Sequence, residues 1–510
     1  MMMQTPLAKL GAFLGLDLTE YVCVHASEVR DADPVLPNDR PMLVYGLAPG
    51  NEQVARRLTG GVITGVEKAG TADAYEVAAT VDREICGPFA GMTVANSGRG
   101  GDSVLLCHPG RRKEVREVIT LGGRPMLAVV GNVVLLSAAA PVVDLDEETE
   151  ARIVPEALFS RFVAYVMALR MVAGGNRCFR PDLLQACVIV DDPQLHNRYG
   201  HLNLAALPEF TGRNKLHLSI AFIPHNWRTS ARRISRLFRE NAERLSICFH
   251  GNDHTRGEFA STDAGFLEYA VSTAEARMRR HTERTAVPCG KVMVFPQGRF
   301  SVEAMQVLEA HRFLAAINTV PYPVQEPQKL TWREIASPAV LRYASFPLFL
   351  RKPAAEWQPF DVAVCLFFGR PVIVVEHHQI GRNMEALAKL ASLVNRIAPE
   401  VRWCDPETLV KGAYLRRSSR QGTVDHVLAF GNAVRIVETA TAEVELEWAS
   451  RPGAASAVRV SSAEEEHQVP WDNKRELPLS NRPGLMWCFK AVLRRRACDF
   501  RDNYVALLKK

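Results

Sequence analysis

The chain has 510 residues, 62 Lys and Arg against 56 Asp and Glu, and a formal net charge of +6. That length exceeds what one core organises, so two or three domains are expected, and an apolar share of 47% excludes a disordered chain. The small net charge excludes a strongly basic nucleic-acid binder: the clusters at Arg111 to Lys113, Arg232 to Arg239, Arg277 to Arg280 and Arg494 to Arg496 are far apart and read as solvated helix faces.

The 11 cysteines are scattered without a Cys-x-x-Cys pair. Cys187, Cys248 and Cys365 lie in apolar runs, where a thiol acts as a small hydrophobe, so a reducing compartment suits the chain better than a disulfide framework. Met1 to Glu20 has no basic region followed by a long apolar core, so no signal peptide is expected and the location leans cytoplasmic.

Residues 1–150 read as a small α/β domain, with strands at Pro41 to Leu47, Val62 to Val66, Met92 to Ala95 and Ser103 to Cys107 and helical patterns at Gln53 to Leu58 and Arg112 to Val118. Met126 to Val143 is nearly free of charge and long enough to span a bilayer, yet Gly131-Asn132 at its middle reads as a hairpin turn, so no transmembrane segment is expected. Ser97 to Gly101 is glycine-rich and reads as a surface turn; a phosphate-cradling loop, and with it a nucleotide-sensing protein, is the competing reading. Cys86 and His108 read as structural.

From 151 to 412 strands and helices alternate, which predicts a mostly parallel, barrel-like sheet with helices outside. A helix over Pro155 to Val172 leads in. Strands are expected at Ala186 to Val190, Leu216 to Ile223, Leu245 to Phe249, Lys291 to Phe295, Phe313 to Asn318, Val362 to Phe367 and Pro371 to Val375. Helices are expected at Ser230 to Glu243, Asp263 to Arg284, Val302 to His311 and Met384 to Ile397, with Pro321 to Pro359 an irregular excursion. From 413 to 510 short β segments predict a β-rich accessory domain, and Trp487 to Leu508 a helix docked on it; a membrane-surface role is the minor reading of that helix.

Four of the expected barrel strands end in polar residues: Asp191-Asp192, His250-Gly251-Asn252-Asp253-His254, Pro296-Gln297-Gly298 and Glu376-His377-His378. Carboxyl ends of barrel strands are where such folds assemble their sites. His250 and His254, with a small Gly251 between them, put two imidazoles near one point, and a carboxylate from Asp191-Asp192 completes a two-His-one-Asp metal set with open positions. Adjacent residues leaving a strand point apart, so one Asp can bind metal while the other faces the substrate water.

These ordered elements resemble the motifs of the polysaccharide deacetylase family (carbohydrate esterase family four), over roughly residues 185–400. The resemblance implies a distorted (β/α) barrel with fewer than eight full units and a divalent metal, zinc first. It implies Asp192, His250 and His254 as metal ligands, Asp191 as general base and His377 as general acid. His378 is an equally eligible imidazole from sequence alone. Pro296, Gly298, Arg299, Tyr199, His225 and His378 are expected to line the cleft for a carbohydrate or other N-acyl substrate. Three departures stand out: Val294 occupies the place where the family often has an arginine that orients the catalytic Asp, Pro193 follows the Asp pair, and no Asp-x-x-Asp-Trp element is present. The expected function is a metal-dependent hydrolase of amide C–N bonds, a deacetylase of an N-acetylated sugar; the alternative is a non-catalytic carbohydrate-binding or assembly protein on the same barrel. No nucleic-acid partner is expected, and the sequence leaves the oligomeric state open.

Overall fold

A computed structural model describes residues 5–29, 40–70, 73–96, 101–138, 141–150, 158–255, 257–326, 329–437, 443–453, 456–459, 466–470 and 478–502. The glycine-rich stretch read at Ser97 to Gly101 lies outside them but for Gly101, as does the tail beyond Asp502. The chain forms two compact units: 1–180 with 329–335 and 416–426, and 181–328 with 336–415 and 427–510.

The first unit carries a seven-stranded mixed sheet. Val22–His25, Met42–Tyr45 and Val133–Leu136 run parallel, and Arg124–Val130, Val115–Leu121, Tyr75–Val77 and Thr93–Val94 continue it antiparallel. The apolar stretch from Met126 is the expected hairpin: Val130 faces Val133 across the turn, and Gly131 takes a positive φ of 59°. Among the described residues no helix is long and apolar enough to cross a membrane. The helix expected at Arg112 to Val118 is helical only to Glu114, in the 3-10 helix Pro109–Glu114, and gives way to the strand Val115–Leu121. Val115, Val118, Ile119 and Leu121 are all buried, and sheet pairing on both edges outweighs the helical charge spacing.

The second unit is built on parallel strands β1 (Gln185–Asp191), β2 (Leu218–Phe222), β3 (Leu245–His250), β4 (Cys289–Val294), β5 (Ala315–Asn318), β6 (Leu348–Leu350), β7 (Lys352–Pro353) and β8 (Val372–His377). The pairing path runs β6-β5-β4-β3-β2-β1-β8-β7. Its two ends, β6 and β7, are successive pieces of one extended segment separated by Arg351 alone. The sheet therefore curls back on itself: β6 pairs with β5 and β7 with β8, all parallel. This is a (β/α) barrel, nearly closed, with its strands wound in chain order.

Helices α1 (Leu207–Asn214), α2 (Arg232–Glu240), α3 (Ala264–Thr285), α4 (Val302–Ala310), α5 (Pro359–Phe367) and α6 (Met384–Ile397) fall between or after these strands. Every residue of β1 and β2 is buried, as strands covered on both faces require. Two expectations fail here. The strand read at Val362 to Phe367 is α5, started by Pro359 at its first turn and by a capping box between Gln358 and Asp361. A short apolar run carries no period that separates the two readings. The excursion read at Pro321 to Pro359 contains β6 and β7, the pieces that close the ring.

Of the β segments expected after 413, Glu443–Trp448 pairs antiparallel with Ser456–Arg459, and Ala433–Arg435 with Glu466–Gln468. They cover a small core of Val434, Val444, Leu446, Trp448 and Val469. The last described helix is α7 (Leu485–Phe500).

Candidate metal centre

β1 delivers two carboxylates to the carboxyl end of the barrel. Asp191 is the last residue in the ladder, in register with His377 of β8, and its carboxylate is almost fully buried. Arg351 meets it with both arms of the guanidinium: Nη1 donates to Oδ1 at 2.7 Å and Nη2 to Oδ2 at 2.6 Å. Burial alone would raise the Asp191 carboxyl; the charges of Arg351, His250 and His377 and the bonds from Arg351 outweigh it and hold the group below the usual carboxylate range. Arg351 is the residue at the joint between β6 and β7, so barrel closure and carboxylate orientation come from the same position.

Asp192 leaves the strand at a positive φ of 82°, which turns its side chain away from that of Asp191. On β3, His250 is buried, and its Nδ1 lies 3.1 Å from the Val294 carbonyl, which can only accept. The ring therefore keeps its proton on Nδ1 and turns Nε2 toward Asp192. Gly251 follows at φ 61°, and a Cβ there would collide with the Glu258 carboxylate and the Pro296 ring. The loop then winds around Glu258, whose carboxylate accepts the backbone N–H of Asn252, Asp253, His254 and Thr255 at 2.8–3.3 Å. This brings His254, at φ 54°, back beside His250 with the ring centroids 4.8 Å apart.

The outcome is a cluster. Asp192 Oδ1 lies 3.4 Å from His250 Nε2 and 3.2 Å from His254 Nε2. One ligand atom from each lies within 4.8 Å of the others, and among the described residues this is the one group of three or more His, Cys, Asp or Glu so arranged. Ligands bonded at about 2.1 Å to one ion sit about 3.0 Å apart at right angles and about 3.4 Å apart at tetrahedral angles, so these separations fit a shared cation. Asp192 Oδ1 is buried without a hydrogen-bond partner, the state of a ligand oxygen rather than of a satisfied structural one. Burial would raise the Asp192 carboxyl, but His250, His254 and the Arg495 guanidinium hold it well below its ordinary range. Burial and the neighbouring His250 push His254 down to about 4, so its ring is neutral and able to ligate at pH 7.

The remaining expected site residues divide. Pro296 is buried against Gly251, and Gly298 lies in a turn that Asn318 fastens, its Nδ2 donating to the carbonyls of Gly298 and Val320 at 2.9 Å each. The arginine that holds Asp191 is Arg351; Arg299 is exposed beside Gly257. His225 Nδ1 pairs with Asp253 at 2.8 Å, and Arg277 donates to the same carboxylate oxygen at 2.7 Å. His377 is exposed at the strand end, whereas His378 is buried with its ring edge-on to Tyr199 at 5.3 Å.

The C-terminal helix, expected on the β-rich part, reaches this end of the barrel instead. Arg495 is buried and donates through Nε and Nη2 to Asp499 Oδ1 at 3.0 and 2.7 Å. The Tyr199 hydroxyl donates to the same oxygen at 3.3 Å, and Asp502 Oδ1 stands 4.0 Å from His378 Nε2. A buried charged face on α7 finds its partners among polar groups above the strand ends, which an apolar β core could not supply. Between α7 and the His254 loop lies a cleft of about 360 Å³, lined by Thr255, Gly257, Glu258, Phe266, Lys490 and Arg494.

Sequence reasoning missed four contributors: Arg351, Glu258 as the hub of the His254 loop, Arg495 and Asp499. Only the first left a readable signal, an arginine at the end of the apolar run Phe346 to Leu350.

No family model matches the chain, and no curated protein matches it. Solved structures do. A carbohydrate esterase family four pseudoenzyme from Bacillus anthracis aligns at 12% identity over 44% of this chain and 66% of its own, with a TM-score of 0.28. A family four carbohydrate esterase from Streptomyces lividans, in complex with acetate, aligns at 10% identity over 43% of this chain and 91% of its own, with a TM-score of 0.28. A polysaccharide deacetylase from Mycobacterium smegmatis, so described provisionally, aligns at 12% over 44% and 91%, with a TM-score of 0.28. The chain thus spans just under two thirds of the pseudoenzyme's length.

Proposed function

We propose that the chain is a metal-dependent hydrolase of amide C–N bonds, a deacetylase acting on an N-acetylated sugar. The observation that carries this reading is the convergence of Asp192, His250 and His254 on one point beside a carboxylate, Asp191, held by a guanidinium fork. A divalent ion, zinc first, held by those three side chains would polarise the scissile carbonyl and lower the pKa of an attacking water.

The chain's own groups supply the rest. Asp191 stays ionised because Arg351 compensates its burial, so it is available to take the proton of the attacking water. Its orientation is fixed by two parallel hydrogen bonds, which leave its outer lone pairs for that proton. His377, across from Asp191 on β8 and open to solvent, is the proposed donor of a proton to the departing amine. Val294 and Glu258 act through the ligands, the one through the His250 ring and the other through the His254 loop.

A second reading, a carbohydrate-binding protein without catalysis, is favoured by the C-terminal segment beside the centre, where Asp499 of α7 meets Tyr199 and Asp502, just past the helix, stands near His378. Acetate release from a panel of N-acetyl sugars separates the two. The first reading expects release by the native chain and its loss in Asp191→Asn; binding of the same sugars with no release by either protein would establish the second.

A further inference from the structure

We propose that the outward face of α7 is a docking surface for an anionic lipid bilayer. Unlike an ordinary surface helix, α7 exposes a row of large apolar side chains while it buries an arginine. Among its described side chains the buried ones are Ala491 and the charged Arg495, with Asp499 beside them, while Met486, Phe489 and Leu493 are exposed by 67%, 58% and 50%. At about 100° per residue these three fall within an arc of about 60°, and Phe500, 60% exposed, prolongs the row. On the same count Ala491, Arg495 and Asp499 occupy the opposite side. Four of the seven large apolar side chains exposed among the described residues therefore share one stripe of one helix. A single exposed apolar side chain needs no explanation, but a contiguous row does.

The charges name the occupant. Lys490 and Arg494, whose inner sides line the cleft beside the His254 loop, are exposed along one edge of the stripe and Arg496 along the other. The sole carboxylate in Leu485–Phe500 is Asp499, which faces inward onto Arg495 and Tyr199. A row of Met, Phe and Leu between two cationic margins is the form of a helix lying in a membrane interface: the row enters the acyl boundary and the cations meet headgroup phosphates on both sides. Spanning is excluded, since 16 residues reach only about 24 Å and the cations sit mid-helix. The polar inner face keeps its protein partners while the outer face binds, so docking needs no rearrangement of the barrel. This proposal is independent of the enzymatic reading.

The test is vesicle flotation of the full-length chain with neutral phosphatidylcholine vesicles and with vesicles containing a quarter of phosphatidylglycerol. Three cations near the surface predict partitioning on the order of 100-fold stronger on the anionic vesicles, falling as salt is raised. Phe489→Ser with Leu493→Ser, and separately Lys490→Gln with Arg494→Gln and Arg496→Gln, are each expected to abolish flotation. Circular dichroism melting of each variant establishes that the fold persists. Absence of flotation by the native chain, equal flotation on both vesicles, or flotation unchanged in either folded variant overturns the proposal. So does self-association of the native chain through this face, lost in the variants, with no lipid binding.

Discussion

Arg351 offers the sharpest perturbation of the fold. Its guanidinium and the Asp191 carboxylate expose only 3% and 4% of their side chains and share two hydrogen bonds of 2.7 and 2.6 Å. Arg351→Met keeps much of the side-chain volume but strands a buried carboxylate whose other neighbouring charges are His250 and His377. Removing one partner of a buried pair costs about 3–5 kcal/mol, because the remaining charge stays desolvated. That is a large share of the roughly 5–15 kcal/mol by which domains are stable. Arg351→Lys keeps the charge and loses the fork, so about half of that loss is expected. Asp191→Leu with Arg351→Met removes both charges and should return to within about 1–2 kcal/mol of the native chain. Urea unfolding followed by circular dichroism at pH 7 measures all of these, reading the transition of the barrel unit. A loss below about 1 kcal/mol in Arg351→Met, or a double variant whose loss equals the sum of the singles, would refute the argument.

Glu258 organises the loop that carries His254, so Glu258→Ala should weaken zinc binding about 10–100-fold by calorimetry while the melting transition survives; unchanged affinity would deny it that role. His377→Ala should lower kcat for amide hydrolysis by about 10²–10⁴-fold, and His378→Ala by much less; the reverse order would move the acid to His378. His311 bonds Glu275 through Nδ1 and Glu268 through Nε2, both at 2.7 Å, and two acceptors require an imidazolium. Burial opposes that charge, yet the two carboxylates hold the His311 pKa above its ordinary value. Its stabilising contribution is therefore fully present below the unfolded pKa of about 6.5 and is lost as pH rises through the folded pKa. His311→Ala should cost more stability at pH 5.5 than at pH 9; equal losses at both would contradict the pairing.

Strand ends were the legible part of this sequence. β1, β3 and β8 are apolar runs that stop at Asp191-Asp192, His250 and His377, and a strand's end is where burial stops and side chains can converge. The convergence of Asp192, His250 and His254 could thus be expected from two short motifs. What was illegible depends on partners distant in the chain. Arg351 lies 160 residues from Asp191, and its strand pieces are only three and two residues long, too short for any period to register. α5 looked like a strand because an apolar run of this length fits either element until its cap is recognised. The inner face of α7 was hidden by its charge: Arg495 read as part of the solvated basic face Arg494 to Arg496, and only the polar groups of the barrel end make its burial tolerable.

The account rests on three side chains from two strand ends sharing one cation. Elemental analysis of the purified chain after dialysis against a zinc-buffered solution measures this directly. About one equivalent of divalent ion per chain is expected, falling to a small fraction in Asp192→Asn and in His250→Ala with His254→Ala. A native chain that retains no ion, or variants that retain as much as the native chain, would contradict it.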